Sequence, residues 1–186
     1  MASSIFKQEF KSIKVLAKAE YESCTFIGCD LSNANLSGFI FEDCSFDACN
    51  LSLANLSQTA LRSVKFKDCK LLGLQFDQCN AIGIAFTFTG CNLNNTSFFK
   101  VKAIGTKFQK CQMHEADFSQ SDIRKSTFED TDLLNAKFDQ TNLEEVSFST
   151  AYNYTLQPEN NRLKKTRFSQ SGIAGLVIHH SIIIEL

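Results

Sequence analysis

The most reactive side chains in this sequence belong to eight cysteines and three histidines. Thiolates and imidazoles bind zinc, and paired thiols form disulfides or redox centres. Five of the cysteines recur every 20 or 22 residues, at Cys29, Cys49, Cys69, Cys91 and Cys111. A zinc site needs ligands that converge on one point, whereas this series has no histidine beside it. Whether these thiols can bind a metal or pair with one another therefore depends on the secondary structure that positions them.

The chain repeats every five residues. A large apolar side chain stands at the centre of nearly every repeat, beginning with Tyr21 and Phe26 and continuing to Phe148, with one slip of two residues near Gly83. Alanine takes the centre at positions 81 and 103, and after a break the series returns at Leu163, Phe168 and Ile173. A mostly small residue precedes each centre by two positions, and side chains two apart on an extended chain point the same way. Both sets therefore point inward. Five is neither the helical period nor a multiple of two, so the chain must turn after every repeat.

Every fourth centre is a phenylalanine. The column reads Phe26, Phe46, Phe66, Phe88, Phe108, Phe128, Phe148 and Phe168. Four sides of five residues make one coil, and successive coils stack at the strand spacing of about 4.8 Å with hydrogen bonds along the axis. The sequence therefore predicts an all-β, four-sided β-helix of about eight coils, with these phenylalanines as a structural ladder on one inner wall.

Within this repeat every cysteine occupies the small inward position, and the series of five falls on one wall. We therefore predict buried, free thiols that behave as small apolar residues. The alternative is a chain of disulfides, because neighbouring rungs place Cα atoms about 4.8 Å apart, within the permitted range. Parallel side-chain directions and a reducing cytosol disfavour it. No catalytic set, phosphate-binding loop or metal motif stands out, so we expect neither an enzyme nor a cofactor.

The two-residue slip is the first irregular segment, at residues 82–87. Ala81 stands at a centre and leaves room inside the coil. Either Ile82 and Ile104 turn inward to fill it, or they form a small exposed apolar patch with Phe99 nearby. A loop that simply accommodates the extra residues is the plainer interpretation, although outgrowths from a rigid scaffold often carry function.

Residues 151–162 form the second irregular segment and contain the only proline. The five-residue count places Asn153 and Pro158 where large apolar centres are due, so a loop or distorted half-coil is expected. We take this segment as a candidate interaction site. Its residues of interest are Tyr152, Asn153, Tyr154 and Pro158.

Residues 174–186 are apolar and lose the period. An open end of a β-helix exposes unpaired backbone groups and a section of core, so solenoids need caps. We expect a short helical turn at 175–180 and a strand at 181–186. Consecutive isoleucines are unfavourable in water, which predicts a cap that also forms a two-fold homodimer interface. The candidate residues are Leu176, Ile178, Ile182, Ile183 and Ile184.

The predicted organisation is one domain. Residues 1–20 are a lead-in or N-terminal cap, residues 21–173 form the β-helix, and residues 174–186 form the C-terminal cap. The net charge of −1 gives no general attraction to nucleic acid or anionic membranes. No apolar stretch has the length of a signal peptide core or a membrane span. We expect a cytoplasmic protein that does not bind nucleic acid directly or associate with a membrane.

The runs Ala-Asn-Leu-Ser-Gly at residues 34–38 and Ala-Asn-Leu-Ser-Gln at residues 54–58 resemble the A(D/N)LXX signature of pentapeptide-repeat proteins. Tandem copies carry the resemblance over residues 21–150 and again over 161–173. Membership of that family implies a right-handed quadrilateral β-helix.

Small bacterial members of the family include the Qnr, MfpA and microcin-immunity proteins, and residues 157–163 and 174–176 are similar to the C-terminal end of the microcin-immunity branch. The resemblance implies a non-enzymatic protein that binds DNA gyrase or another type II topoisomerase and protects it from a toxin or quinolone-like inhibitor. The Qnr and MfpA branch is described as imitating DNA with an acidic face, whereas here the walls carry both signs, as at Lys65, Lys107 and Asp68. The alternative is a structural or adaptor scaffold with an unknown protein partner.

Overall fold

The computed structural model describes residues 3–180 and 182, which form a parallel β-helix with four walls. We name the walls A to D by the inward-facing centres that they carry. The centres are Tyr21, Phe41, Leu61, Ala103, Ile123, Leu143 and Leu163 on wall A; the phenylalanine column on wall B; Leu31, Leu51, Leu71, Leu93, Met113 and Leu133 on wall C; and Leu36, Leu56, Phe76, Phe98, Phe118 and Phe138 on wall D.

Walls A and B contain the strands. Wall A holds a four-stranded parallel sheet of β1 (Ser4–Phe6), β3 (Glu20–Glu22), β5 (Ile40–Glu42) and β7 (Ala60–Arg62). Wall B holds a nine-stranded parallel sheet of β2 (Glu9–Lys11), β4 (Thr25–Ile27), β6 (Ser45–Asp47), β8 (Val64–Lys67), β9 (Phe86–Thr89), β10 (Lys107–Gln109), β11 (Thr127–Glu129), β12 (Ser147–Phe148) and β13 (Arg167–Phe168).

Within walls C and D, successive coils are connected by single parallel β-bridges rather than by strands. One example is the bridge between Asp30 and Asn50 on wall C. Backbone N–H groups donate along the axis in both directions. The Leu31 N–H donates to the Asn50 carbonyl at 2.7 Å, and the Asn50 N–H donates to the Cys29 carbonyl at 2.8 Å. These bonds satisfy the buried backbone and hold the coils together as one rod.

The chain turns because the second residue after most centres has a left-handed backbone. The φ angle is +50° at Asp43, +51° at Ala48 and +57° at Asn95. None of the described residues with positive φ is β-branched, since a branched Cβ is strained in that region. This recurring corner turns straight strands into a four-sided coil.

The β-helix begins earlier than the repeat count predicted. Strands β1 and β2 lie in the segment assigned to a lead-in, and they pair in parallel with β3 and β4. Phe10 stacks on Phe26 with ring centroids 5.1 Å apart, so it is the first rung of the phenylalanine column. The count missed this coil because the register joins Phe10 to Phe26 across 16 residues, which is not a multiple of five.

The phenylalanine column of wall B stacks without a gap. From Phe26 to Phe168 the centroids of successive rings are 4.6 to 5.4 Å apart. The seven rings from Phe26 to Phe148 are buried, whereas Phe168 at the C-terminal end is partly buried. The stack of phenylalanine rings therefore runs the whole length of the rod, and only its end rings are partly exposed.

A second phenylalanine column, which the repeat count did not single out, lies on wall D. Its successive rings stack at 4.6 to 5.1 Å and meet those of wall B edge to face, as for Phe98 and Phe108 at 5.9 Å. Edge-to-face aromatic pairs add to the apolar contacts of the core. The column is short because earlier coils carry leucine at the same position. Its members are Phe76, Phe98, Phe118 and Phe138.

A short helix closes the C-terminal end. Helix α1 (Ala174–Val177) continues into a 3-10 helix (Ile178–His180), which confirms the predicted helical turn. The helix can pack this closely on the last coil only because residues 172 and 175 are glycines. A Cβ at Gly172 or Gly175 would overlap Tyr154. The Leu156 N–H donates to the Gly175 carbonyl at 3.1 Å. The predicted strand at 181–186 lies outside the described residues except for Ile182.

Candidate interaction surfaces

The eight thiols are free and buried. The Cys49 thiol donates to the Phe26 carbonyl and the Cys69 thiol to the Phe46 carbonyl, both at 3.4 Å, so these thiols bond to the backbone of the preceding coil. Burial raises the pKa of Cys44 to about 11 and that of Cys79 to about 12. Because the thiolate is the reactive form, the raised pKa keeps Cys44 and Cys79 neutral while they are buried, and such thiols pack as small apolar residues.

Within residues 3–180 and 182, no cluster of three or more histidine, cysteine, aspartate or glutamate side chains could hold a metal ion. His114 on wall C forms a pair, with its Nε2 2.9 Å from Asp132 Oδ2. Asp132 Oδ1 also accepts a 2.8 Å hydrogen bond from Asn153 Nδ2. In the same described part of the chain, no helix is long and apolar enough to cross a membrane.

The two extra residues of the first irregular segment are absorbed on wall A alone. Wall B regains its alignment at once, because Val64 pairs with Phe86 and Phe66 pairs with Phe88. Phe86 and Thr87 belong to strand β9, so the irregular segment is 80–85 rather than 82–87. Ala81, which the count placed at an inward centre, is exposed instead.

The sequence left open whether Ile82 and Ile104 turn into the core or form an exposed apolar patch. In the structure both side chains are exposed. The side chain of Ile82 is 73% exposed and that of Ile104 is 44% exposed. Ile84 turns toward the core and is partly buried. Phe99 is not part of this patch, because it lies on wall D, half-buried, with Lys100 Nζ 4.7 Å from its ring centroid.

The second irregular segment presents only part of the predicted interaction site. Tyr154 is 3% exposed and packs on Phe148 and Phe168, with centroids 5.2 and 5.9 Å away, so it is a core residue and not a surface one. The count had put Asn153 at the centre. Its amide instead faces solvent on a left-handed backbone, and the next residue turns inward.

The exposed part of this segment is held in place by Asn161. The Asn161 amide donates to the Phe138 and Gln157 carbonyls at 2.9 Å and accepts from the Thr141 N–H at 2.9 Å. Pro158 begins a 3-10 helix (Pro158–Asn160) that ends the distorted half-coil. The outward surface of the segment is therefore ordered, and it includes Tyr152, which is half exposed.

The C-terminal cap and Ile173, the residue just before it, expose aliphatic side chains. Ile173, Ile178 and Ile182 are each about half exposed or more, whereas Leu176 is partly buried against the core. The candidate residues Ile183 and Ile184 lie outside the described residues. The described part of the cap thus keeps one apolar side chain on the rod and turns others to solvent.

The outer walls carry charges of both signs in short-range pairs. Arg62 pairs with Glu42 at 3.1 Å, and Arg124 pairs with Asp122 at 2.8 Å. Lys67 lies 3.5 Å from Asp47. Such exposed pairs contribute little to stability, and among the described residues they put positive charge on walls A and B, unlike the uniformly negative surface of DNA.

A family model and one solved structure agree with this architecture. The sequence model of the pentapeptide repeat region matches residues 19–98 and 85–157. The structure is similar to full-length QnrB1, a plasmid-mediated fluoroquinolone resistance protein, at 18% identity over 97% of this chain and 100% of that one, with a TM-score of 0.51. HetL, a pentapeptide repeat protein involved in heterocyst differentiation regulation from the cyanobacterium Nostoc, is 15% identical over 88% of this chain and 89% of that one, with a TM-score of 0.37. No curated protein has a matching sequence. The chain belongs to the pentapeptide-repeat family.

Proposed function

We propose that this protein is a non-enzymatic binding protein that docks on a type II topoisomerase, DNA gyrase among them, and moderates its inhibition by a toxin or quinolone-like compound. The observation that carries the proposal is the unbroken nine-stranded sheet of wall B, which makes the outer surface one rigid body. The sequence resemblance of residues 157–163 and 174–176 supplies the class of target, and the likeness in fold to QnrB1, a fluoroquinolone resistance protein, supports it.

Rigidity favours docking of this kind. Each corner is fixed by its backbone conformation, and the core is filled by stacked rings, so few side chains inside the rod must be ordered on binding. A preorganised surface loses little conformational entropy on association. Because the walls carry both signs, shape and local contacts supply the affinity more than long-range steering does.

The proposal includes a homodimer formed through the C-terminal cap. Ile178 and Ile182 are exposed on the described part of that cap, and Ile173 is exposed just before it. Mass measurement by light scattering during gel filtration is expected to give twice the chain mass, and Ile178→Asp to give the monomer. Ile104→Asp, a change at an equally apolar surface on wall A, is expected to leave the dimer intact. A monomeric wild-type protein, or a dimer that survives Ile178→Asp, would contradict this arrangement.

The function is tested by the supercoiling activity of purified gyrase with a quinolone or a microcin-type poison, with this protein added in steps. Protection is expected at micromolar protein. It should be lost in the variant Tyr152→Ala with Glu159→Lys, which keeps the buried Tyr154 and so the fold. Leu72→Ala, at an exposed leucine of wall C, is the matched control. If neither gyrase nor topoisomerase IV from the host is bound or protected, the topoisomerase proposal fails.

The mixed charge of the outer walls supports one alternative, an adaptor scaffold for another protein partner. Paired charges such as Arg62 with Glu42 and Arg124 with Asp122 do not imitate DNA. An adaptor would be recovered from host extracts in a stable complex that contains no topoisomerase subunit, and mass spectrometry of affinity-purified complexes separates the two candidates.

A further inference from the structure

Wall A, unlike wall B, has a break in its hydrogen-bonded ladder. Its sheet ends at β7, and parallel bridges resume only at Lys102, which pairs with Asp122. Between them lie residues 80–85, which carry the two extra residues. We call this region, residues 61–63, 80–85 and 102–105, the wall A break.

Backbone donors are left free in the wall A break. Within the described part of the chain, the N–H groups of Ser63, Gly83 and Lys102 have no hydrogen-bond acceptor, although their counterparts in other coils do. The N–H of Gly105 donates to the next coil at 2.8 Å, and that of Asp122 donates to the preceding coil at 2.9 Å. Ser63, Gly83 and Lys102 are exposed residues, and unpaired backbone N–H groups attract carbonyl or carboxylate oxygens.

An apolar patch lies beside these donors. Ile82 and Ile104 stand on adjacent coils and are the exposed aliphatic side chains of the break. Aliphatic atoms of Arg62 extend beneath it, with Cγ 3.4 Å from the place where a Cβ at Gly83 would be. Exposed apolar side chains rimmed by polar groups are typical of interaction sites.

The charge around the break is positive. Residues 60–65, 80–87, 101–107 and 121–127 contain one acidic residue, Asp122, against six basic ones: Arg62, Lys65, Lys102, Lys107, Arg124 and Lys125. The two arginines are paired, but the four lysines have no salt-bridge partner among the described residues. On wall A the neighbouring coils are acidic on both sides, with Glu42 and Glu144.

We propose that the wall A break binds a short acidic segment of a partner protein in an extended conformation. Carboxylates of the segment contact the unpaired lysines and accept hydrogen bonds from the free N–H groups, and an aliphatic or aromatic side chain covers Ile82 and Ile104. The basic zone spans four coils, about 14 Å at the strand spacing, which is the length of about four or five extended residues. The proposal concerns a different surface from the 151–162 segment and does not depend on a topoisomerase partner.

The flanking acids favour a short peptide over a continuous polyanion. A duplex or an anionic membrane would extend past the basic zone onto Glu42 and Glu144, where like charges repel it. Neither would cover the two isoleucines with apolar atoms from an extended strand. A peptide with acidic residues around one apolar side chain matches both the charge and the surface.

The test is a selection of random 16-residue peptides, displayed on messenger RNA, against the intact protein. Enriched peptides are expected to contain a short acidic run around an aliphatic or aromatic residue. Fluorescence anisotropy with the best synthetic peptide is expected to show binding weakened about tenfold or more by Ile82→Ser with Ile104→Ser, and likewise by Lys102→Glu with Lys107→Glu.

Matched controls lie on other walls. Leu53→Ser with Leu72→Ser removes two exposed leucines of wall C, and Lys70→Glu with Lys137→Glu reverses two exposed lysines of walls C and D. Both controls are expected to bind as the wild type does, and circular dichroism checks that every variant is folded. The proposal is overturned if no peptide is enriched, if enriched peptides lack acidic residues, or if the wall A variants bind them unchanged. It is also overturned if those variants abolish binding to duplex DNA or phosphatidylserine vesicles and no peptide binds.

Discussion

Walls A and B are built from the same chain with the same five-residue repeat, yet only wall B is continuous. Wall B pairs nine strands and stacks Phe10 to Phe168 in one column. Wall A pairs four strands and then breaks where residues 80–85 enter. Both extra residues are taken up between one small inward position, Cys79, and the start of strand β9.

The difference shows on which wall two extra residues cause the smaller loss of packing energy. Shifting a strand of wall B would pull a phenylalanine out of a stack with neighbours on both sides and on wall D. On wall A the inward residue lost from the coil is only Ala81, whose apolar area is small. Packing therefore keeps wall B in register and leaves wall A free to carry an irregular, exposed surface.

The largest difference between the walls is expected in stability. Phe108→Ala removes a buried ring stacked between Phe88 and Phe128, at 5.3 and 4.8 Å, and should lower the free energy of unfolding by about 3–5 kcal/mol. Ile82→Ala on wall A removes an exposed side chain and should change it by less than about 0.5 kcal/mol. Urea denaturation followed by circular dichroism measures both. Equal losses would show that wall A is as tightly packed as wall B.

The sequence was enough to predict wall B but not the break in wall A. A fixed period with one residue type at every fourth centre leaves a single arrangement for Phe26 to Phe148. The five-residue period shows that there are two extra residues near Gly83. It does not show which wall accommodates them, because that depends on how much packing energy each wall would lose. The same reasoning explains Tyr154. A count of fives assigns Asn153 to the core, whereas the energy of burying an aromatic ring decides the actual residue.

Deleting Ile84 and Ala85 should repair wall A. The shortened chain carries Ala81-Ile82-Gly83 directly before Phe86, which repeats the corner at residues 103–105. The Lys102 N–H would then regain an acceptor, and its hydrogen exchange is expected to slow about tenfold, which corresponds to about 1.4 kcal/mol. Exchange at Phe108 on wall B should not change, which NMR can check. An unaltered rate at Lys102 would mean that the two extra residues are not what breaks the ladder.

The thiols report local opening of each wall. Cys79 lies on wall A beside the break and is 7% exposed, whereas Cys44 on wall B is fully buried. Burial holds the pKa of Cys79 near 12 and that of Cys44 near 11, so at pH 8 each reacts only after an opening that lets it ionise. We expect iodoacetamide to label Cys79 about fivefold faster than Cys44, as measured by mass spectrometry of the labelled peptides.

The pH dependence of labelling has a defined sign. Because the folded pKa of Cys79 is raised above the unfolded value of about 8.5, its neutral form stabilises the fold below that pH. That stabilisation is lost as pH rises toward 12, so labelling should accelerate above pH 9 through both ionisation and opening. If Cys44 were labelled as fast as Cys79 at pH 8, the walls would open together rather than separately.

The smallest effect is expected at the corners, where both walls use the same backbone conformation. Ala48 follows wall B with φ +51°, and Gly105 follows wall A with φ +74° and no atom within 4 Å of its missing Cβ. The left-handed region costs a residue with a Cβ about 1–2 kcal/mol, and glycine gives back about 0.4–1 kcal/mol through the entropy of the unfolded chain. Ala48→Gly should therefore raise the free energy of unfolding by about 0.5 kcal/mol, and Gly105→Ala should lower it by a similar amount. Ala60→Gly, within strand β7, is the control and should lower the free energy of unfolding, because no left-handed strain is relieved there.

Urea denaturation measures the change in the free energy of unfolding for each variant. An increase in Ala48→Gly together with a decrease in Ala60→Gly would locate the strain in the corners. Losses in both variants would place it elsewhere in the coil.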